Sequence, residues 1–307
     1  MGVKPPKSWP EAVVKFMKER AGNVSINDTK QRLAWLYQYL GEIRDIREIN
    51  RDMMDTIMQK RGVSEKTPQS ENSTANRYVA CVTAILNAAC RDWDWIERSP
   101  RLKTYPEPSG SEKWLSVEEW KALESELPPH LLGPATFALG TGLRKAKVFG
   151  LEWSQIDLKR RCMTFKGTAN KSGNTIPLND TAMRAIEMAQ ALPVRHVTYV
   201  FTYEGQPLGS YGRAWYNAVD RAGLDVNWHA FRHTFASWLG QEGVPEGIID
   251  RLGGWNVKKK ATRERYTHLA VEHLRPHAAV IDRLLSSESQ KSGNHTTHSA
   301  AVSAATA

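Results

Sequence analysis

The sequence predicts a mainly α protein of two domains, the second carrying a small antiparallel β-sheet. Three observations predict it. Apolar residues recur at helical spacing through residues 8–103 and again through most of 115–285. Between them, residues 99–112 collect Pro100, Pro106, Pro108, Ser109, Gly110 and Ser111 among charges, the composition of a linker. In residues 161–178 the pattern changes to that of paired strands. A chain of 307 residues accommodates two domains at roughly 100–200 residues each.

Each element has a local reason. Trp9-Pro10-Glu11 opens the first helix, since Pro10 in a first turn forfeits no hydrogen bond, and Val13, Val14, Phe16 and Met17 give an apolar face. Ser25-Ile26-Asn27-Asp28 is a start signal for a second helix carrying Leu33, Leu36, Tyr37 and Leu40. A third runs from about Arg51 to Lys60. A fourth begins after Ser73, buries Val79, Val82, Ile85 and Leu86, and ends near Trp93-Asp94-Trp95. The second domain restarts at Leu115-Ser116-Val117-Glu118-Glu119, where Ser116 and Glu119 match a capping box. Helices follow to about Trp153. Arg161-Cys162-Met163-Thr164-Phe165-Lys166 alternates as a strand, Asn170-Lys171-Ser172-Gly173-Asn174 is turn chemistry, and Thr175-Ile176-Pro177-Leu178 returns. From Thr181 the pattern is helical again. The tail from Ser286 is rich in Ser, Ala, Thr and His and too poor in large apolar groups to order itself.

Composition narrows the partners. A net charge of +9 and a pI of about 9.4 suit a polyanion. Cys81, Cys90 and Cys162 are odd in number and lack CxxC spacing, which argues against a disulfide framework or a zinc site and fits a reducing cytosol. Met1-Gly2-Val3-Lys4-Pro5-Pro6 has no apolar core for a signal peptide, and no apolar run approaches the ~18–20 residues of a membrane span. The expectation is a soluble cytoplasmic protein with no membrane partner.

The chemistry of DNA strand transfer without a metal sets definite needs. Negative charge gathers on the non-bridging oxygens as a pentavalent phosphorus forms, and fixed cations and N–H donors must absorb it. Arginine suits this because its planar fork stays charged and meets phosphate oxygens two at a time. A tyrosine nucleophile, with a reference pKa of about 10, needs cations or a base beside it. The leaving 5′ oxygen needs an acid.

Four blocks carry such groups, in order, over about 125 residues: Thr141-Gly142-Leu143-Arg144, His229-Ala230-Phe231-Arg232-His233, Leu252-Gly253-Gly254-Trp255 and Arg265-Tyr266-Thr267-His268-Leu269. Taken singly, each has an ordinary explanation. Arg144 reads as a helix-surface arginine, His229 as a packed or capping histidine, Trp255 as core, Tyr266 as a half-buried core tyrosine and Lys258-Lys259-Lys260 as a solvated loop. Their conjunction outweighs those readings. Together the blocks resemble the tyrosine recombinase (phage integrase) family.

The resemblance covers residues 115–285 well and 8–103 only as a general helical core-binding domain. It implies a core-type DNA-binding domain over 1–103, an interdomain linker over 99–114, a tyrosine-recombinase catalytic domain over 115–285 and a disordered tail over 286–307. No arm-type domain is expected ahead of these. The implied roles are Tyr266 as nucleophile, Arg144, His229, Arg232 and Trp255 as stabilisers of the pentavalent phosphate, and Lys171 as general acid on the hairpin, with Lys166 the alternative. His233 and His268 are support. No cofactor and no metal are implied. The partners implied are double-stranded DNA at core recombination sites, a homotetramer in the synaptic complex, and accessory DNA-bending or directionality proteins. The amphipathic segment Val271, Leu274, Ala278, Ile281 and Leu284 is expected to dock on a neighbouring subunit.

The chain departs from the family pattern in three places. The hairpin is about two residues short, so a strict count back from Pro177 lands on Ala169. Lys147 stands where an acidic residue often braces the first arginine, and the interval from Trp255 to Tyr266 is about two residues long for the family. Lys147 keeps alive a catalytically silent DNA-binding regulator. The shared chemistry keeps alive a type IB topoisomerase-like enzyme, and a helical interaction scaffold is the reading from another class.

Overall fold

Reciprocal caps start the first helix of each half of the chain. The computed structural model describes residues 4–23, 26–108, 113–165, 175–209, 211–255 and 271–287. The chain divides into two compact units, 1–111 and 112–307.

In the first unit, α1 (Trp9–Glu19) begins where Ser8 Oγ accepts from the Glu11 N–H at 3.3 Å and Glu11 Oε2 accepts from the Ser8 N–H at 2.8 Å. Three helices follow: α2 (Ile26–Leu40), α3 (Arg51–Gln59), capped by Asn50, and α4 (Ser70–Arg91). Trp9, Leu36, Leu40, Met58, Val82, Ile85 and Leu86 are fully buried among them. Helix α4 starts before Ser73, the expected boundary, because Asn72 is a buried anchor and not a turn residue. Its Oδ1 accepts from the Ser64 N–H at 2.8 Å, and its Nδ2 donates to the carbonyls of Ser64, Thr67 and Pro106 at 2.7, 3.2 and 2.8 Å.

The expected linker is also partly structural. Residues 101–108 lie along the first unit, with Tyr105 buried. Asn76 Nδ2 donates to the Tyr105 carbonyl and Asn76 Oδ1 accepts from its N–H, both at 2.9 Å. The Tyr105 hydroxyl donates to Asp55, which also receives Lys103 Nζ at 3.3 Å.

The second unit is anchored at its start by two bonds into one helix, α10 (Ala230–Gln241). Thr234 Oγ1 accepts from the Leu115 N–H, and Trp238 Nε1 donates to the Leu115 carbonyl, each at 2.9 Å. Then α5 (Val117–Glu126) starts at the Ser116/Glu119 capping box. Helix α6 (Pro129–Thr141), apolar all round and buried from Gly133 to Thr141, is the central post. It packs against α8 (Asp180–Gln190) and α10. After the short α7 (Lys145–Phe149) come β1 (Ile156–Asp157), β2 (Cys162–Thr164) and β3 (Thr175–Pro177). They form an antiparallel sheet in the order β1-β2-β3, registered Ile156 to Met163 and Met163 to Ile176. The turn expected at 170–174 lies outside the described residues.

One expectation fails after α8. Helical pattern was expected from Thr181 onward, but residues 192–201 are not helical, and β4 (Thr202–Tyr203) and β5 (Gln206–Pro207) form a second antiparallel pair. The turn between them, Glu204-Gly205, needs positive φ at both residues, +50° and +76°. Helices α9 (Gly212–Arg221), α10 and α11 (Glu246–Leu252) complete this part.

The C-terminal segment is packed on its own unit. In α12 (Val271–Ala278) and the helical residues 280–287, Leu274, Ala278 and Ile281 are buried in the core that contains α6. The face expected to meet a neighbouring subunit is therefore largely covered within the chain. Asp282 explains the placement: its carboxylate accepts from the Asp180 and Thr181 N–H groups at 2.9 Å and from Thr181 Oγ1 at 2.7 Å. An anion thus caps the start of α8 from a distant segment. Residues 286 and 287 are helical, and the remainder of the expected tail lies outside the described residues. Among the described residues, no helix is long and apolar enough to cross a membrane.

Asp282→Ala removes these charge-assisted bonds and should lower unfolding free energy by about 2 kcal/mol. Urea titration of the full chain measures this; a loss under about 0.5 kcal/mol would show that hydrophobic burial alone fixes the segment.

Candidate active site

Helix α6 ends at Gly142, whose φ of +63° closes the helix as its N–H donates to the Ala138 carbonyl at 2.8 Å. A Cβ there would lie 2.4 Å from Phe235 Cδ1, so the position is closed to side chains by backbone and by packing. That turn leaves the Gly142 carbonyl directed at α10 and sets Arg144 at the N-cap of α7, exposed.

Arg232 lies in the first turn of α10 and is only 8% exposed. Its Nη1 donates to the Gly142 carbonyl at 3.2 Å and to the Gly253 carbonyl at 3.3 Å. The Trp255 ring covers its guanidinium, 3.9 Å from Cζ to the ring centroid. The two glycines before the tryptophan are required. A Cβ on Gly253 would meet Trp255 Nε1 at 2.2 Å, and Gly254 takes a φ of +61° against Phe165. The Trp255 Nε1–H is buried and has no acceptor among the described residues, so the ring face on Arg232 is its visible contribution.

Electrostatics sharpen the picture. Burial pushes the Arg232 guanidinium down from its ordinary range to about 10, with Arg144 pushing the same way and Asp250 opposing. Arg232 stays a cation at neutral pH. Because its folded value lies below its unfolded one, the charge costs stability there, and that cost is relieved only as pH rises through about 10. Arg144 and Arg232 are therefore close enough to repel, and Asp250 on α11 supplies the opposing charge. Lys147, which stands where an acidic brace is common, is exposed and its ammonium lies over the Phe165 ring, 5.9 Å from its centroid.

His229 holds the N-cap position of α10, one turn before Arg232, and its N–H donates to Asn227 Oδ1 at 2.8 Å. Its ring meets the His233 ring edge-on at 4.8 Å between centroids. Behind it, Trp228 packs with Phe149, Tyr211, Trp215 and Phe231. Arg144, Arg232 and Trp255 are thus brought together, and His229 shares the helix turn that carries Arg232. Lys166, Lys171, Tyr266 and His268 lie outside the described residues. Sequence reasoning missed Asp250 and the two glycine carbonyls; Gly142 and Gly253 stood inside motifs, but nothing local marks Asp250 as a neighbour of Arg232.

Comparison with known proteins points the same way. The model of the Phage integrase family matches residues 117–273. The integrase of Salmonella phage P22 is 31% identical over 323 residues, covering 92% of this chain and 82% of that one. Tyrosine recombinase XerA of Thermococcus kodakarensis is 28% identical over 228 residues, covering 70% and 80%. In fold, the chain matches a lambda integrase tetramer bound to a Holliday junction with a TM-score of 0.64 at 13% identity, covering 85% of this chain and 80% of that one.

The coupling around Arg232 is measurable by a ¹³C-detected titration of its Cζ. The midpoint should fall near 10, rise in Arg144→Ala, where a like charge is removed, and fall in Asp250→Asn. A midpoint unmoved by both substitutions would show that the two groups do not sense Arg232.

Proposed function

The chain belongs to the phage integrase family of tyrosine recombinases, and on that premise we propose how its residues cut and rejoin DNA. Tyr266 attacks a scissile phosphate in line and forms a 3′-phosphotyrosyl bond, while the bond to the 5′ oxygen breaks. Arg144 and Arg232 hold the non-bridging oxygens as charge builds on them. His229, beside Arg232, contributes a further donor and assists removal of the tyrosine proton. Trp255 keeps the Arg232 fork in plane. Lys171, or Lys166 in its place, gives the departing oxygen its proton and so releases a 5′-hydroxyl. The 5′-hydroxyl of a partner strand then attacks the phosphotyrosine, the tyrosine leaves, and the backbone is whole again. The phosphotyrosine conserves the bond energy, so the scheme requires neither ATP nor a metal.

The observation that carries this reading is the Arg232 cation, buried yet held by backbone carbonyls and not by a bidentate carboxylate, with Arg144 beside it. Among the described residues no carboxylate lies within ion-pairing distance of Arg232, and Asp250 offsets its charge only in part, so much of its field is left for a ligand.

The wider assignments belong to the same proposal. Residues 1–103 act as a core-type DNA-binding domain and 115–285 as the catalytic domain, the two joined by 99–114. Two duplexes are exchanged by a homotetramer, as the likeness in fold to the tetrameric lambda integrase supports, in the cytoplasm where the DNA lies. Accessory DNA-bending or directionality proteins fit the same scheme. The outcome is integration and excision of a mobile element, in keeping with the phage P22 integrase likeness. A catalytically silent regulator is the second reading, which Lys147 favours by standing where an acidic brace is common.

Covalent trapping tests the proposal. Nicked duplexes drawn from the chain's own replicon are incubated with protein and denatured, and protein-linked DNA is sequenced. Wild type should give a discrete adduct in the presence of EDTA, and Tyr266→Phe none. Alanine at the acid lysine should suppress cleavage about 10²–10⁴-fold on ordinary DNA but not on DNA with a 5′-bridging sulfur, whose thiolate leaves unaided. Loss of the adduct with EDTA, or its survival in Tyr266→Phe, contradicts the mechanism; DNA binding without any adduct favours the regulator.

A further inference from the structure

The first unit gathers arginines that no sequence motif places together. A cavity of about 350 Å³ opens between α1, α2 and α4, lined by Phe16, Arg20, Thr29, Arg32, Arg77 and Cys81. Arg20 follows the end of α1, Arg32 lies in the second turn of α2, and Arg77 in the second turn of α4. Only the packing of three helices brings them to one opening.

Their charge is only partly opposed: Glu107 feels Arg77, but its carboxylate accepts from Asn76 Nδ2 at 2.8 Å. Asp28 reaches Arg32 at 3.9 Å, but its carboxylate is 67% exposed and at the edge of ion-pairing distance. Glu19, close enough to feel Arg20, has its oxygens taken by Trp93 Nε1 at 3.0 Å and Lys15 Nζ at 3.2 Å. Among the described residues, no carboxylate lies within ion-pairing distance of Arg20 or Arg77. The Arg20 guanidinium stacks 3.8 Å from the Phe16 ring centroid, which fixes its plane and leaves its N–H edge to donate. The floor supplies no anion either: burial pushes the Cys81 thiol up to about 11, even against the pull of Arg32 and Arg20.

We propose that Arg20, Arg32 and Arg77 form a phosphate subsite that grips one backbone phosphodiester of duplex DNA. A planar fork on each of three sides matches the tetrahedral oxygens of a phosphate, and the wide mouth leaves room for the chain to enter and leave. A fourth arginine, which follows α3 and packs against α2 and α4, favours a polymer over a free anion. Arg61 lies 4.8 Å from the Trp35 ring and 4.5 Å from the Tyr78 ring, with its Nε buried and without an acceptor among the described residues. Trp35 follows Arg32 on α2, and Tyr78 follows Arg77 on α4. The inference rests on the reading that the chain binds DNA.

The test reads salt dependence with the full chain and a random-sequence duplex, by fluorescence anisotropy between 50 and 200 mM salt, about the range over which phosphate contacts are lost. Neutralising one phosphate contact lowers the slope of log K against log salt by about 0.9. Arg77→Gln and Arg20→Gln should each lower it by up to that amount. The triple variant, Arg20→Gln with Arg32→Gln and Arg77→Gln, should lower it by about the same amount and no more, because all three serve one phosphate. Arg77→Lys, folded and still charged, should keep the wild-type slope. Unchanged slopes in the Gln variants, in a protein whose wild type binds DNA, overturn the subsite and leave the recombinase reading standing. A triple loss well above 0.9, near the roughly 2.7 of three separate phosphates, means separate contacts and also overturns it. Inorganic phosphate that raises the melting temperature through Arg77 without any change in DNA slope would assign the cavity to a free anion instead. Wild type without salt-dependent DNA binding overturns both inferences.

Discussion

The architecture of the second unit depends on keeping one arginine charged in the dark. Arg232 is nearly excluded from water, a situation that costs an isolated cation several kcal/mol. Two backbone carbonyls and an indole face answer it. Hydrogen bonds from a charged donor contribute about 1.5–3 kcal/mol each, and a desolvated cation–π contact about 2 kcal/mol, so these neighbours are of the right order to hold the group. A bidentate carboxylate would hold it more easily and would cancel its field. The arrangement instead uses dipoles, with Asp250 as a partial counterweight, and leaves Arg232 and Arg144 without a carboxylate at ion-pairing distance among the described residues.

Much else follows from aiming those two carbonyls. Gly142 ends the buried post α6 in a left-handed turn, so its carbonyl is available while Arg144 starts the next helix. Gly253 leaves space for the Trp255 ring to lie over the guanidinium. The far side of α6 is fixed by Asn179, whose Nδ2 donates to the carbonyls of Gly140 and Ala278 at 2.9 Å each. Asp282 then caps α8 next to it. The turn at Gly142 and the segment from Val271 onward are thereby tied to one helix end, within one subunit.

Sequence and structure agree where the signal is local. The Trp9-Pro10-Glu11 start, the capping box at Ser116, the apolar faces of the early helices, and the Gly142-Leu143-Arg144 and Gly253-Gly254-Trp255 motifs each carry their explanation within a few residues. Disagreement appears where a partner is distant. Asn72 lies ahead of the helix start expected after Ser73 and nothing local marks it or Asn76, yet they bind the 105–106 backbone and turn part of the expected linker into a strap. The β4–β5 pair is too short for periodicity, and Glu204 at positive φ breaks the usual residue preference. The apolar face of 271–284 was legible; which surface it covers was not, because Asp282 and Asn179 act across about a hundred residues of chain. The assignments of Lys171 and Tyr266 fall outside the described residues and rest on motif alone. The two arginine clusters differ in the same spirit: Arg232 is buried and held in one geometry, whereas Arg20, Arg32 and Arg77 line an open cavity.

The central claim is that Arg144 and Arg232 are held to oppose charge on one phosphate. The measurement that tests it most directly is cleavage of a duplex whose scissile phosphate is replaced by an uncharged methylphosphonate, in wild type and in Arg144→Ala. If the pair answers charge, Arg144→Ala should cost at least about 100-fold on the ordinary phosphate, the scale of one lost electrostatic stabiliser, and little on the neutral one. An equal loss on both substrates would mean that Arg144 shapes the site without opposing that charge, and the account would fail.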